Sequence, residues 1–212
     1  MNTQEYLKAL EWRYACKKFD PSFQIDASVW QAIKESFRLS PSSLGLELWH
    51  FIEVKTPAIR ESLFAASYGQ TQVRDASRYV VLCGRRDIDD ADLLAHIGRI
   101  HELRHTTPEE DAAHLEKYRG YSAFWQNGRA DAYIENQIHL AAGFVACGAA
   151  VLGIDTCILG GIEPARYNSI LGLETGRYRA VLGMAFGRRS PEDGYASAAK
   201  VRYSAETVFS RI

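Results

Sequence analysis

A chain of 212 residues, 47% hydrophobic and 24% charged, has globular composition and length enough for one sizeable core. Its 25 Lys and Arg against 26 Asp and Glu leave a formal net charge of -1, so no basic field points to nucleic acid and any charged site must be local. Cys16, Cys83, Cys147 and Cys157 contain no C-x-x-C pair and give no sign of a zinc knuckle or redox dithiol; free thiols in a reducing cytoplasm are expected. The start "MNTQEYLKALEWRY" lacks the basic region and apolar core of a secretory signal, which agrees with a cytoplasmic location.

In chain order, a helix is expected over residues 3–14, ending before "KKFDPS" because Pro21 disfavours helix at Asp20. A second runs over 28–39, with Asp26 or Ser28 as N-cap and Val29, Ile33 and Phe37 on one face. "SPSSLGLELWHFIEV", Ser40 to Val54, then spends more small polar residues than a turn requires before the strand "HFIEV". A short helix near 57–66, a loop from Ser67 to Ser77 and a strand "YVVLCGR" come next. The polar region 89–128 reads as two helices, and 129–153 as a long one. Its apolar run Ile138 to Ile154 contains His139 and falls short of the roughly 20 residues of a bilayer span, so it belongs in a core or subunit interface and no membrane partner is expected. The strand "DTCILGG", a helix over 163–171 opened by Pro164, the strand "YRAVLGMAFG" and a tail complete one domain, 1–212. More helices than strands, unevenly spaced, give an α+β class with a helix-covered sheet.

"HELRH", His101 to His105, matches H-E-x-x-H, but the segment lacks the apolar positions that bury a zinc-protease helix, so a solvated helix and no metal are expected. No G-x-S-x-G elbow, G-x-G-x-x-G turn or phosphate-binding loop of the G-x-x-x-x-G-K-[ST] type occurs. There remains a set of separated pieces: the cluster of Arg13, Lys17 and Lys18 in "WRYACKKFDPS", the serines of "SPSS", the two glutamines of "GQTQV", Gly160 and Gly161 after a strand, and Lys200 with Arg202 in "KVR".

In order, these pieces resemble the FMN-dependent nitroreductase family from about Leu10 to Arg202. "RYACKKFDPS" is similar to its opening R-x-S-x-[KR]-x-[FY], "SPSSLGLELWHFI" to its S-P-S-S-x-N-x-Q-P-W-x-F, and "LGGI" followed by "ILGL" to its strand, glycine turn and helix. The family's serine is Ala15 here, its asparagine Gly45, its glutamine Glu47 and its proline Leu48. The resemblance implies a central mixed, mainly antiparallel sheet covered by helices, in an interlocked homodimer with two FMN sites at the interface.

It further implies a cofactor site drawn from Arg13, Tyr14, Ala15, Lys17, Pro41, Ser42, Ser43, Gly45, Gln70, Gln72, Gly160, Gly161, Lys200 and Arg202. Arg13, Lys200 and Arg202 would hold the phosphate, with charge-assisted donors. Lys17 would stand near flavin N1 and O2, where reduction delivers negative charge. Gly160 and Gly161 would approach N5, and Gln70 or Gln72 the pyrimidine edge. Pro41, Ser42 and Ser43 would form a loop lent to the partner's flavin, with Trp49 beginning the strand that anchors it.

The implied activity is a ping-pong transfer of hydride from NAD(P)H through flavin N5 to an electron-poor nitroaromatic or quinone, with no catalytic side chain required. Tyr68, Phe124 and Trp125 are the expected pocket wall. The alternatives are an FMN-binding protein without turnover, and the same fold acting as a dehydrogenase or dehalogenase on a specific metabolite.

Overall fold

The computed structural model describes residues 1–121 and 125–212. Its centre is a sheet of β1 (Trp49–Glu53), β2 (Arg78–Arg85), β3 (Asp155–Leu159) and β4 (Tyr178–Gly187), in the order β1-β2-β4-β3. Every ladder is antiparallel. Among the described residues, the parallel contact is the isolated bridge between Ala15 and Thr156. β2 and β4 are apolar on both faces because both faces are covered; β1 and β3 are the edges.

On one face lie α2 (Ala27–Arg38) and the long α7 (Ala130–Val151), with α1 (Thr3–Trp12) packed on α7. Trp30, Ile33 and Phe37 of α2 and Ile138 and Val145 of α7 meet Leu82, Leu182 and Phe186 of the sheet. Each such side chain, fully buried, contributes roughly 1.5–3 kcal/mol. α3 (Pro57–Ala65), α4 (Gln72–Asp75) and α8 (Pro164–Ile170) serve the second core, with Leu63, Val73 and Tyr167 against Tyr79, Val81 and Ala185. Here Tyr79, Tyr167 and Ser67 form a buried hydroxyl chain, 2.7 and 2.6 Å. Gly183 is required beneath it, since a Cβ there would overlap the Tyr79 hydroxyl. α5 (Asp90–Arg104) and α6 (Pro108–Arg119) form a hairpin joined to the body through Leu93, Ile97 and Tyr118, which pack with Leu46, Leu48 and Trp125. A short α9 (Ala205–Val208) lies in the exposed tail.

Two expectations need adjusting, whereas the solvated helix expected at "HELRH" is seen, with His101 to Arg104 exposed in the last turn of α5. The first helix stops at Trp12: Arg13 turns extended, φ -69° and ψ 138°, so that Cys16 and Phe19 can bury against β3 and the end of β4. The loop from Ser67 to Ser77 contains α4, because Val73 is fully buried and one helical turn delivers it to the core. "HELRH" does not form one imidazole face. His105 ends α5 with φ 55°, and His101 Nδ1 lies 2.8 Å from Asp111 Oδ2. Among the described residues no cluster of His, Cys, Asp and Glu could hold a metal ion, and no helix is long and apolar enough to cross a membrane.

Candidate cofactor site

The site is built along the β3 edge. Residues 13–18 run beside it, fixed where the Cys16 amide donates to the Thr156 carbonyl at 3.0 Å. Asp193, from the turn after β4, is 3% exposed and accepts the amides of Lys17 (2.7 Å) and Lys18 (3.1 Å) and the Tyr14 hydroxyl (2.9 Å). Burial alone would raise its pKa; the hydrogen bonds from Lys18, Lys17 and Tyr14 outweigh it and hold the carboxyl at about 2. Next to it, the Arg189 guanidinium stacks between the rings of Trp12 (4.2 Å) and Tyr14 (4.6 Å), while its Nε donates to Asp155 Oδ1 at 2.9 Å. Asp155, Arg189 and Asp193 were not singled out in the sequence. The available signal was Asp155, an acid opening an apolar strand in "GIDTCIL".

This scaffold floors a cavity of about 430 Å³ lined by Arg13, Tyr14, Ala15, Lys200 and Arg202. The Lys200 ammonium donates to the Arg13 carbonyl. Its pKa is lowered by burial and then by the neighbouring charges of Arg13 and Arg202, with Glu11 as the opposing acid. Arg13 Nε is buried and without a hydrogen-bond partner among the described residues. Three crowded cations and an unpartnered donor are complementary to a phosphate dianion. The donor set therefore fits the phosphate of FMN, with Ala15 contributing no hydroxyl.

On the same edge, β3 runs into Gly160 and Gly161, both exposed. Among the described residues, no atom beyond its chain neighbours lies within 4 Å of where a Gly160 Cβ would stand. Gln70 donates from Nε2 to the Gly161 carbonyl at 2.7 Å, and Tyr68, 71% exposed with φ 54°, stands next to them. Gln72 is buried, its Nε2 4.0 Å from Cys157 Sγ. Thus Gln70 lies at the surface beside the glycines and Gln72 beneath it. Lys17 is exposed, with its backbone held by Asp193.

The serine loop is elsewhere. Pro41, Ser42, Ser43 and Gly45 lead into β1, on the opposite edge, roughly 14 Å away at three inter-strand spacings. Ser43 is bound there to Gln137 and Tyr133, and Glu47 is exposed, its amide donating to Ser42 Oγ at 3.1 Å. Within one chain, this loop and the basic cavity do not meet. Trp125 is 5% exposed in the third core, 5.6 Å from Tyr133 ring to ring; Phe124 lies outside the described residues.

The architecture defines the class first: an α+β protein whose helix-flanked antiparallel sheet has solved counterparts. A nitroreductase-like protein from Streptococcus mutans superposes with a TM-score of 0.85 at 21% identity, both chains covered in full. A provisionally named nitroreductase from Exiguobacterium sibiricum, solved in complex with FMN, gives 0.81 at 19% identity, covering 100% of this chain and 98% of its own. In sequence, the oxygen-insensitive NADPH nitroreductase of Helicobacter pylori is 27% identical over 176 residues, 81% of each chain. The profile described as Nitroreductase family matches residues 10–188. The chain belongs to the nitroreductase family. The match stops before Lys200 and Arg202, so their assignment rests on their place in the cavity with Arg13.

Proposed function

We propose that the protein is an FMN-dependent oxidoreductase that takes hydride from NAD(P)H and delivers it to an electron-poor acceptor such as a nitroaromatic or quinone. The observation that carries this reading is the convergence of Arg13, Lys200 and Arg202 around the unpartnered Arg13 Nε, on the same sheet edge as Gly160, Gly161 and Gln70. Bound FMN supplies the two-electron chemistry, and the protein supplies orientation and charge.

Arg13, Lys200 and Arg202 bind the phosphate. Lys17 offers a fixed positive charge to the pyrimidine side, and Gln70, already oriented by the Gly161 carbonyl, presents its carboxamide to that edge. Gly160 and Gly161 let backbone approach the reacting face. Tyr68, exposed beside them, is the wall against which a flat acceptor stacks. No side chain is needed as nucleophile or general base.

A homodimer completes the site, because the Ser42–Gly45 loop lies on the far sheet edge of its own chain and serves a partner's cofactor. Two features support a second copy. The tail exposes Val201 (85%), Tyr203 (81%) and Phe209 (76%), and α7 exposes Leu140 and Phe144.

The test is the anaerobic absorption spectrum of protein loaded with FMN, before and after NADPH. Bleaching, then recovery on adding a nitroaromatic or quinone, is the expected result. Bound flavin that stays oxidised with both NADH and NADPH would instead indicate FMN binding without turnover.

A further inference from the structure

The buried face of α7 is apolar except at Gln137, which is 8% exposed between Ile134 and Ala141. A buried carboxamide costs free energy unless both its ends are bonded. Here both are: Oε1 accepts the Ser43 amide at 2.8 Å, and Nε2 donates to the Tyr133 carbonyl at 3.2 Å. The Tyr133 hydroxyl donates in turn to the Ser43 carbonyl at 3.3 Å. One helix therefore grips both backbone groups of Ser43.

The backbone just after Ser43 needs such a grip. Leu44, Gly45 and Glu47 have φ of 60°, 70° and 49°. For leucine and glutamate the left-handed region is unfavourable, and such conformations persist only where their surroundings over-determine them. The Tyr118 hydroxyl bonds the Leu44 carbonyl at 3.5 Å, and His96 lies against Gly45, 3.3 Å from where a Cβ would stand. A leucine at 137 would suit the apolar layer as well as glutamine does, so packing alone does not explain the carboxamide.

We propose that Gln137 is a positioning residue: through the Ser43 amide it fixes the Ser42–Gly45 loop in the shape that meets the partner subunit's cofactor. The inference rests on the FMN homodimer reading above. It has a consequence that a purely structural role lacks, since the defect should fall on the neighbouring subunit's site.

FMN binding is followed by fluorescence quenching for wild type, Gln137→Leu, Tyr133→Phe and a differently tagged Arg13→Ala/Arg202→Ala chain. Gln137→Leu is expected to raise the FMN Kd at least tenfold, and Tyr133→Phe to raise it less. In a mixed dimer of Gln137→Leu with the Arg13→Ala/Arg202→Ala chain, one site combines an intact phosphate cluster with an intact loop. The expected result is one wild-type-affinity site per mixed dimer, although neither parent homodimer has any. Wild-type affinity in Gln137→Leu, or no high-affinity site in the mixed dimer, overturns the inference. Should Gln137→Leu fail to fold, Gln137→Met, unbranched like glutamine but without the carboxamide, takes its place in the same mixed dimer and decides. Wild type that is monomeric or takes up no FMN removes the underlying reading, an outcome visible before any variant is made.

Discussion

The two edges of the sheet carry the two halves of the candidate site and are made differently. At the β3 edge, positions far apart in sequence are fastened by buried ions: Asp193 holds residues 14–18, and Asp155 holds Arg189 between two aromatic rings. At the β1 edge, the serine loop is held by neutral side chains on backbone groups, and it bends through left-handed residues. Charge at the first edge both fastens the segments and leaves Arg13, Lys200 and Arg202 crowded in one cavity. At the second edge, the bonds that fix the loop are to backbone groups. A dianion is recognised best by fixed charge, whereas a planar cofactor needs a surface shaped to it.

The contrast between the edges breaks most visibly at the cations. Arg13→Ala with Arg202→Ala removes two charge-assisted donors, and at about 1.5 kcal/mol each the FMN Kd should rise roughly 100-fold. Equilibrium titration with FMN and with riboflavin checks this: riboflavin, which lacks the phosphate, should bind both proteins alike. Equal losses for the two ligands would mean that the pair shapes the site without contacting phosphate.

Asp193 is next. Asp193→Ala strands the part-buried amides of Lys17 and Lys18 and the Tyr14 hydroxyl, and should destabilise the fold by about 3 kcal/mol in urea unfolding. The sign of the pH dependence comes from the lowered pKa. With about 2 in the fold against an ordinary 3.8, the carboxylate's stabilisation is complete above about pH 4 and is lost as pH falls toward 2. Asp20, held at about 2 by Ser22 and Arg188, titrates in the same window and should persist in the variant. The gap between wild type and Asp193→Asn should therefore narrow between pH 4 and pH 2. A constant gap would show that the carboxylate's charge is not the group that fastens the segment.

The elements were legible where burial and period agree: the apolar runs of β2 and β4, the long α7 with its alanines, and Pro164 opening α8. Arg13, Lys200 and Arg202, which line one cavity, were picked out in the sequence through a family resemblance. The fastening was not. Asp193 sits in "SPEDGYAS", which reads as a solvated turn, and its burial depends on the segment 14–18 folding over it. Gln137 sits in "YIENQIHLAA", where Asn136 beside it is just as polar; only the helix's rotation against the Ser43 loop decides which one is buried. Gln70 and Gln72 were indistinguishable in sequence because the single turn of α4, which turns Gln72 inward, is too short to leave a period.

The finest contrast lies between two glycines, one on each edge. Gly45 has φ 70° and His96 close against it, so Gly45→Ala should cost about 1 kcal/mol of stability from the left-handed backbone alone. Gly160 has no such φ and, among the described residues, no atom beyond its chain neighbours within 4 Å of where its Cβ would stand, so Gly160→Ala should leave the unfolding free energy within about 0.5 kcal/mol of wild type. If the flavin approaches the β3 edge there, that same alanine should nevertheless slow flavin reduction by NADPH in stopped flow. A stable Gly160→Ala protein with unchanged reduction would move the reacting face away from Gly160 and leave Gly161 and Gln70 to define it.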